Sequence, residues 1–466
     1  MFNPQHAKTL IDQAMSLGAD FCELYIERQL NTTVRTLADK VDTIQSGIDF
    51  GIGLRLFYGQ EILYGFTNLD DLASLQGILK QLTAERRRSK QDQTNPRQRQ
   101  DFCQTEGVVH RAAEYPLEAG GWVDEKLALL RSAHTYAAQS GKAIMTTKGW
   151  VLQRQQQIEI FNSDQLHAQD LRHYTRAGLT AIASDGQQQA TGSWNHGGLV
   201  GWELGGSIAA EQMGSQAARQ ALVNLEARPC PSGHMPVVIG NGFGGVIFHE
   251  ACGHLLETTS VAKQASVFHD QLGEMIAAEC VNAVDEGISE NAWGSLSVDD
   301  EGMAPQRTQL IRNGRLEQFL VDKMGAIQTG YPRTGSGRRQ SYRYAPASRM
   351  RNTFIEAGPD SVESMVASLD RGLYATHMGG GSVQPGTGEF NFSVLEGYWV
   401  EDGKIQYPVK AATLISTGPA VLKQISMVGQ DFELACGMCG SVSGSIPASV
   451  GQASIRVDDI LVGGSA

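Results

Sequence analysis

Four glycines, Gly240, Gly242, Gly244 and Gly245, separate the apolar run at residues 235–239 from the segment 246–254. Glycine admits positive φ and close backbone approach, so this spacing predicts a strand, a tight turn and a helix in immediate succession. Gly240, Gly242 and Gly245 also spell GxGxxG, the fingerprint of a dinucleotide-binding unit. Such a unit needs a second apolar strand ending in an acid about 20 residues further on, and Glu257-Thr258-Thr259-Ser260-Val261-Ala262-Lys263-Gln264 supplies none. The glycines are therefore read as making a tight turn and allowing close packing at a helix start.

The helix that follows carries His249-Glu250-Ala251-Cys252-Gly253-His254. With 11 histidines in the chain, the chance expectation of His-Glu-x-x-x-His is ~0.01 per chain. Metal-assisted hydrolysis needs a carboxylate beside a zinc-binding imidazole, because zinc lowers the pKa of its water toward ~7 and the carboxylate takes the proton. His249 and His254 are accordingly read as metal ligands and Glu250 as the catalytic base. The competing reading, a pair of helix histidines bonded within a core, gives Glu250 no purpose. The spacing is one residue longer than HExxH, and on a regular helix it leaves the two imidazoles about 140° apart. A π-bulge with about 4.4 residues per turn brings them within roughly 50°. Gly253 would ease that distortion, and an end to the helix there would serve as well.

Two histidines leave a catalytic zinc one protein ligand short. Candidates for the third are Cys252, Cys436, Cys439, His234, His269 and His377. Cys252 is poorly placed on a regular helix, roughly 160° from His254. Cys436-Gly437-Met438-Cys439 is a lone CxxC: a redox pair, half of a zinc knuckle, or a turn presenting one thiolate.

The 466 residues suggest two or three domains at about 150 residues each. Pro229, Pro231 and Gly233 mark a boundary, giving an N-terminal α+β domain at 1–228 and a C-terminal metal-binding domain at 229–466. Helical spacing occurs at residues 5–17, 69–85, 123–139 and 206–225. Alternation or apolar runs predict strands at 22–27, 33–37, 51–58 and 61–66, an antiparallel meander, and near 143–155, 157–162 and 169–184. Further strands are expected at 234–239, 309–311, 318–321, 398–401, 412–416 and 453–457. The fold class is α+β in two domains, an N-terminal antiparallel sheet with helices and a C-terminal mixed α/β domain carrying the metal site. Arg86-Arg87-Arg88-Ser89-Lys90 and the Gln-rich stretch 91–100 read as a solvated helix end and loop.

Net charge is 38 − 50 = −12, which disfavours direct nucleic-acid binding. No apolar stretch reaches the ~18–20 residues of a membrane span, and the N-terminus lacks a basic segment followed by an apolar run. Seven scattered cysteines fit reduced thiols in the cytoplasm better than a disulfide framework. Arg338, Arg339 and Arg343 offer forked donors for a peptide carboxylate or carbonyls, with structural ion pairing an equal reading. Asp299-Asp300-Glu301-Gly302 reads as an acidic turn near the site. Gly379-Gly380-Gly381 lacks the Lys-Ser/Thr of a P-loop and suits backbone approach to an extended peptide added as a strand.

In these residues the chain resembles the TldD/PmbA family of zinc metallopeptidases, also labelled modulators of DNA gyrase, and within it the metal-carrying branch. The similarity spans nearly the whole chain and is densest in the HExxxH block, Met235-Pro236-Val237-Val238, Asp299-Asp300-Glu301-Gly302, Gly337-Arg338-Arg339, Gly379-Gly380-Gly381, Pro408-Val409-Lys410, Gln424-Ile425-Ser426-Met427-Val428-Gly429 and Val457-Asp458-Asp459. The resemblance implies Zn2+ held by His249, His254 and Cys439, with Glu250 catalytic. It also implies attack on unfolded or extended peptides in the cytoplasm, in some members to mature a peptide precursor, and a homodimer or a heterodimer with a related subunit lacking the metal motif. The alternative is a non-catalytic subunit in which zinc only staples the fold for binding or assembly.

Overall fold

The alternation Cys22-Glu23-Leu24-Tyr25-Ile26-Glu27 belongs to one long strand, β1 (Phe21–Leu37), rather than to the two short ones expected. Asn3 caps α1 (Pro4–Ser16) by accepting from the amide of Gln5, with Pro4 in the first turn. The chain then folds β1, β2 (Lys40–Tyr58), β3 (Glu61–Thr67) and α2 (Leu72–Ala84). After these come α3 (Val123–Gln139), β4 (Ile144–Asn162), β5 (Leu166–Ser184), β6 (Gln189–Gly198) and α4 (Ala210–Glu226). The computed structural model describes residues 2–84, 102–104 and 113–464; the basic run 86–90 and the Gln-rich stretch lie outside them.

Two antiparallel meanders, β3-β2-β1 and β4-β5-β6, join through β1 and β4 into one sheet. Successive strand residues face opposite sides, and both sides of β1 are covered. Cys22, Leu24 and Ile26 pack with Leu10, Ile11 and Ala14 of α1 and Leu75 and Leu79 of α2. Val34, further along the same side, packs with Leu130 of α3 and Ala217 of α4. Each fully buried Leu or Ile contributes about 1.5–3 kcal/mol.

The other side of β1 presents Glu23, Tyr25 and Glu27 to the C-terminal half. Arg55 of β2, wholly buried, donates to Glu23 at 2.6 Å and to Glu301 at 2.7 Å. Arg172 of β5 donates to Asp300 at 2.7 Å. Asp299-Asp300-Glu301-Gly302 thus serves the contact between the two halves. Removing one member of such a buried network costs about 3–5 kcal/mol, because its partner's charge is left uncompensated.

The second half is built from β7 (Gly233–Ile239), α5 (Val246–Ala251), α6 (Lys323–Thr329), β8 (Arg371–Val383), β9 (Glu389–Glu401), β10 (Glu433–Ser441), β11 (Gly444–Gln452) and β12 (Ile455–Gly463). One mixed sheet runs β8-β7-β12, Thr413–Thr417, β9, Lys404–Lys410 and Arg228–Pro229, and β8 pairs with β9 as well, closing the sheet on itself. A second runs from Arg315–Leu316 through Arg307–Arg312, Ala283–Glu286, Asn352–Ile355 and β11 to β10 at its edge. Phe248 and Leu255 lie in the core with Ile239, Ile355 and Ile446 from both sheets. Of the expected strand 318–321, only an isolated bridge between Leu320 and Glu257 forms. Among the described residues no helix is long and apolar enough to cross a membrane.

Asp322 caps α6, accepting from the amide of Gly325 at 2.9 Å and from the Thr258 hydroxyl at 3.0 Å. Burial, aided by the charge of Glu301, pushes its pKa up to about 6. The fold therefore prefers the neutral acid: this preference stabilises fully below the ordinary value near 3.8 and is lost as pH rises through about 6. Asparagine caps equally well without a charge. Asp322→Asn is expected to match the parent near pH 4 and to exceed it by about 2–3 kcal/mol at pH 8, read from urea melts at the two pH values.

Candidate metal centre

The glycine turn positions the motif. Gly242 sits at φ +59°, and Cβ atoms at Gly240 and Gly245 would fall 2.7 Å from the Thr376 carbonyl oxygen and 2.4 Å from the Gly451 carbonyl oxygen. The turn thus lets β7 pass directly into α5 against β8 and β11. It serves packing, and the dinucleotide reading stays excluded by the missing second strand and acid.

His249 and Glu250 lie on α5, which ends at Ala251. Cys252 leaves helical geometry at φ −136°, ψ −53°, and a 3₁₀ turn, Gly253–Leu256, carries His254. Convergence thus comes from a helix that stops and restarts, not from a π-bulge. The rings stand 5.0 Å apart, centroid to centroid, at 86°. Gly253 is needed for contact: a Cβ there would meet Met350 Sδ at 2.0 Å, with Met350 itself wholly buried. Gly253→Ala is expected to cost about 1–3 kcal/mol through overpacking and to weaken metal retention by moving His254, checked by thermal melts and metal titration of one preparation.

Cys439 comes from β10, 185 residues beyond His254. Its Sγ lies 3.2 Å from His249 Nε2 and 3.3 Å from His254 Nε2, and one donor atom from each residue falls within 4.8 Å of the others. In a tetrahedral site with Zn–S near 2.3 Å and Zn–N near 2.0–2.1 Å, S and N stand about 3.5 Å apart, so both spacing and donor chemistry fit zinc. Burial alone would raise the Cys439 pKa, but His254, His249 and Arg349 outweigh it and hold the thiol well below its usual range. Burial would likewise lower the pKa of His254, and Glu257 with Cys439 more than reverses it. The two shifts run in the same sense, each group favouring the charged form of the other.

Glu250 lies beside this cluster, its Oε2 3.9 Å from His254 Nε2. Its side chain is 16% exposed and that of His254 11%, whereas His249 and Cys439 are buried, so the cluster meets solvent on the side of Glu250 and His254. Burial raises the pKa of Glu250, an effect that His249 and His254 only partly offset.

The remaining candidates lie elsewhere. Cys436, three residues before Cys439 on the same strand, faces the opposite side, donates to the Gly197 carbonyl at 3.1 Å, and is pushed up to about 11 by burial. Cys252 is wholly buried in the core. His234 faces Asp459, His269 the Ser266 carbonyl and His377 Glu396.

Arg338 and Arg339 correct the expectation of peptide binding, since both are buried and spend their donors internally. Arg338 donates to the carbonyls of Met350 and Pro447, and Arg339 to Glu23 and the Asp300 carbonyl. Arg343 pairs with Asp49 at the surface. Gly379, Gly380 and Gly381 lie on β8 past Ala375, where its pairing with β7 has ended and its register with β9 is irregular. Cβ atoms at Gly379 and Gly381 would strike Ser393 Oγ and the Asn391 carbonyl oxygen, whereas Gly380 meets open space.

Two residues of the site escaped the sequence reading. Glu257 accepts from His254 Nδ1 at 3.1 Å, the carboxylate–imidazole contact that orients a metal ligand; its position three residues past His254 was the available signal. Arg349 donates to the Cys439 carbonyl, and nothing local marks it.

Comparison with known proteins matches this chain to the PmbA/TldA metallopeptidase domain 1 over residues 22–84, the central domain over 123–225 and the C-terminal domain over 232–464. A metalloprotease TldD homolog of Haemophilus influenzae is 36% identical over 425 residues, covering 90% of this chain and 87% of its own. A zinc metalloprotease TldD homolog of Saccharolobus solfataricus is 31% identical over 254 residues, 53% of this chain and 57% of its own. The fold is shared with a solved Thermotoga maritima protein described as a modulator of a DNA gyrase, with TM-score 0.77, 20% identity and coverage of 98% of this chain and 99% of that one. It is also shared with TldE of Thermococcus kodakarensis, with TM-score 0.76, 15% identity and coverage of 98% and 99%. With three domains matched in order and more than a third of the residues identical to a relative along most of its length, the chain belongs to the PmbA/TldD family of metallopeptidases.

Proposed function

We propose that this chain is a zinc-dependent peptidase acting on unfolded or extended peptides, with His249, His254 and Cys439 as ligands and Glu250 as general base. The observation that carries this reading is the convergence of three donor atoms within 4.8 Å beside a half-buried carboxylate of raised pKa. When bound, zinc supplies Lewis acidity toward a carbonyl oxygen and toward water.

Glu250 moves the proton. As the water oxygen bonds to the carbonyl carbon, one proton passes to a Glu250 carboxylate oxygen. As the C–N bond breaks, that proton passes to the departing nitrogen, and Glu250 ends ionised as it began. A raised pKa suits a group that must hold the proton between the two steps. Glu257 keeps His254 in the orientation that leaves Nε2 facing the other ligands.

The stretch of β8 at Thr376–Gly381, beside α5, lies past the end of its pairing with β7 and is paired irregularly with β9 alone; its free edge is where main-chain hydrogen bonds would hold an extended peptide with little side-chain preference. A role in degrading peptides or maturing a precursor follows from that low selectivity. The protein is further proposed to act as a dimer, with a second copy or with a related subunit lacking the metal motif. Support comes from β2, whose first half has no strand beyond it among the described residues and exposes Val41, Ile44 and Ile48, an edge of the kind partners cover.

Chelator-treated protein is expected to cleave neither denatured casein nor unstructured peptides and to recover on adding zinc. Cleavage that survives chelation, or zinc-loaded protein that cleaves nothing alone or with a metal-lacking subunit, overturns the proposal.

A further inference from the structure

We infer that Glu257 and Arg349 form a positioning pair that ties the His254 turn to the Cys439 hairpin. This rests on the metal-site reading above. His254 and Cys439 belong to separate elements, so some contact besides the metal must set their spacing. Glu257 follows the 3₁₀ turn directly and uses Oε2 to hold His254 Nδ1. Its other oxygen, Oε1, is buried without a hydrogen-bond partner and lies 3.8 Å from Arg349 Nε, itself buried and without one.

Arg349 is wholly buried and spends its remaining nitrogens on the hairpin of β10 and β11. Nη2 donates to the Cys439 carbonyl, and Nη1 donates to Ser443 Oγ and the Gly444 carbonyl, both at 2.9 Å. A planar guanidinium can face a carboxylate along one edge and carbonyls along the others, which a lysine ammonium cannot. The path from His254 through Glu257 and Arg349 to Cys439 is therefore continuous.

Other groups hold the hairpin without entering this path. Arg176 donates to the Cys436 carbonyl at 2.9 Å, Trp293 to the Gly437 carbonyl at 2.7 Å, and Gln340 accepts from the Ser445 amide at 2.7 Å. Those contacts fix the hairpin against the rest of the fold. Arg349 alone among them also faces the carboxylate that holds His254, so it couples the ligands to one another.

The test compares Glu257→Gln, Arg349→Met and the double variant with the parent, using zinc affinity by chelator competition and the thiolate-to-metal absorption of the cobalt(II)-loaded proteins. Each single change is expected to weaken zinc about 10–100-fold. The double variant should lose about as much as the worse single one, because the two residues act as a unit. The cobalt band should persist in Glu257→Gln and shift or weaken in Arg349→Met. Parent-like affinity and spectrum with only a lower melting temperature, or effects that simply add, overturn the pair. If Arg349→Met does not fold, Ser443→Ala removes one of its acceptors, and parent affinity in both Ser443→Ala and Glu257→Gln is the overturning result. A parent that binds neither zinc nor cobalt defeats the metal-site reading instead, which keeps the two failures distinct.

Discussion

Glu250→Gln is expected to bind zinc at the parent stoichiometry and to hydrolyse peptides about 10²–10⁴-fold more slowly. Glutamine keeps the volume and the polar reach of the side chain and cannot accept the proton of an attacking water at neutral pH. Glu250 does not belong to the set of donor atoms that converge, so its neutralisation leaves all three ligands in place. The pH profile adds a second readout. Burial raises the Glu250 pKa, and the base must be ionised to act, so the acid limb of kcat/KM in the parent should sit above the ordinary glutamate range and be absent from the variant's residual rate. A variant with parental kcat/KM removes Glu250 from the chemistry. A variant that loses zinc as well shows that its charge holds the metal.

The helix at 123–139 was legible to the residue, because its apolar spacing is regular and α3 packs one face onto a sheet. The break expected between residues 27 and 33 is absent. Gln29 and Thr32 look like turn residues when read locally, but they are buried between strands that pair along the full length of β1. The HExxxH spacing marked the site, while the means of convergence depended on Met350, 97 positions after Gly253. Arg338 and Arg339 show the opposite limit: exposed forks and buried clamps have the same letters, and only their distant carbonyl and carboxylate partners tell them apart. The partners of the acidic turn at 299–302 were hidden for the same reason, Arg55 and Arg172 lying on strands of the other half.

Cys439→Ser is expected to lower zinc content from about one per chain to a small fraction of that after dialysis, since two histidines are a poor site for zinc without a third ligand. A serine hydroxyl does not ionise near neutral pH, so the variant loses the soft anionic donor that favours zinc. The hairpin itself should survive. Cys439 pairs with Ile446 through its backbone and accepts from Arg349 through its carbonyl, and neither contact involves sulfur. Cys436→Ser is the matched control, because that thiol faces the other side of β10, is pushed up to about 11, and only donates to Gly197. Zinc lost in the first variant and retained in the second, with equal melting temperatures for the metal-free proteins, assigns the third ligand to the Cys439 thiolate. Loss in both would mean that hairpin integrity governs retention. Retention in both would leave His249 and His254 holding the ion with a donor other than Cys439, and the arrangement of Glu257 and Arg349 around the hairpin would then need a purely structural explanation.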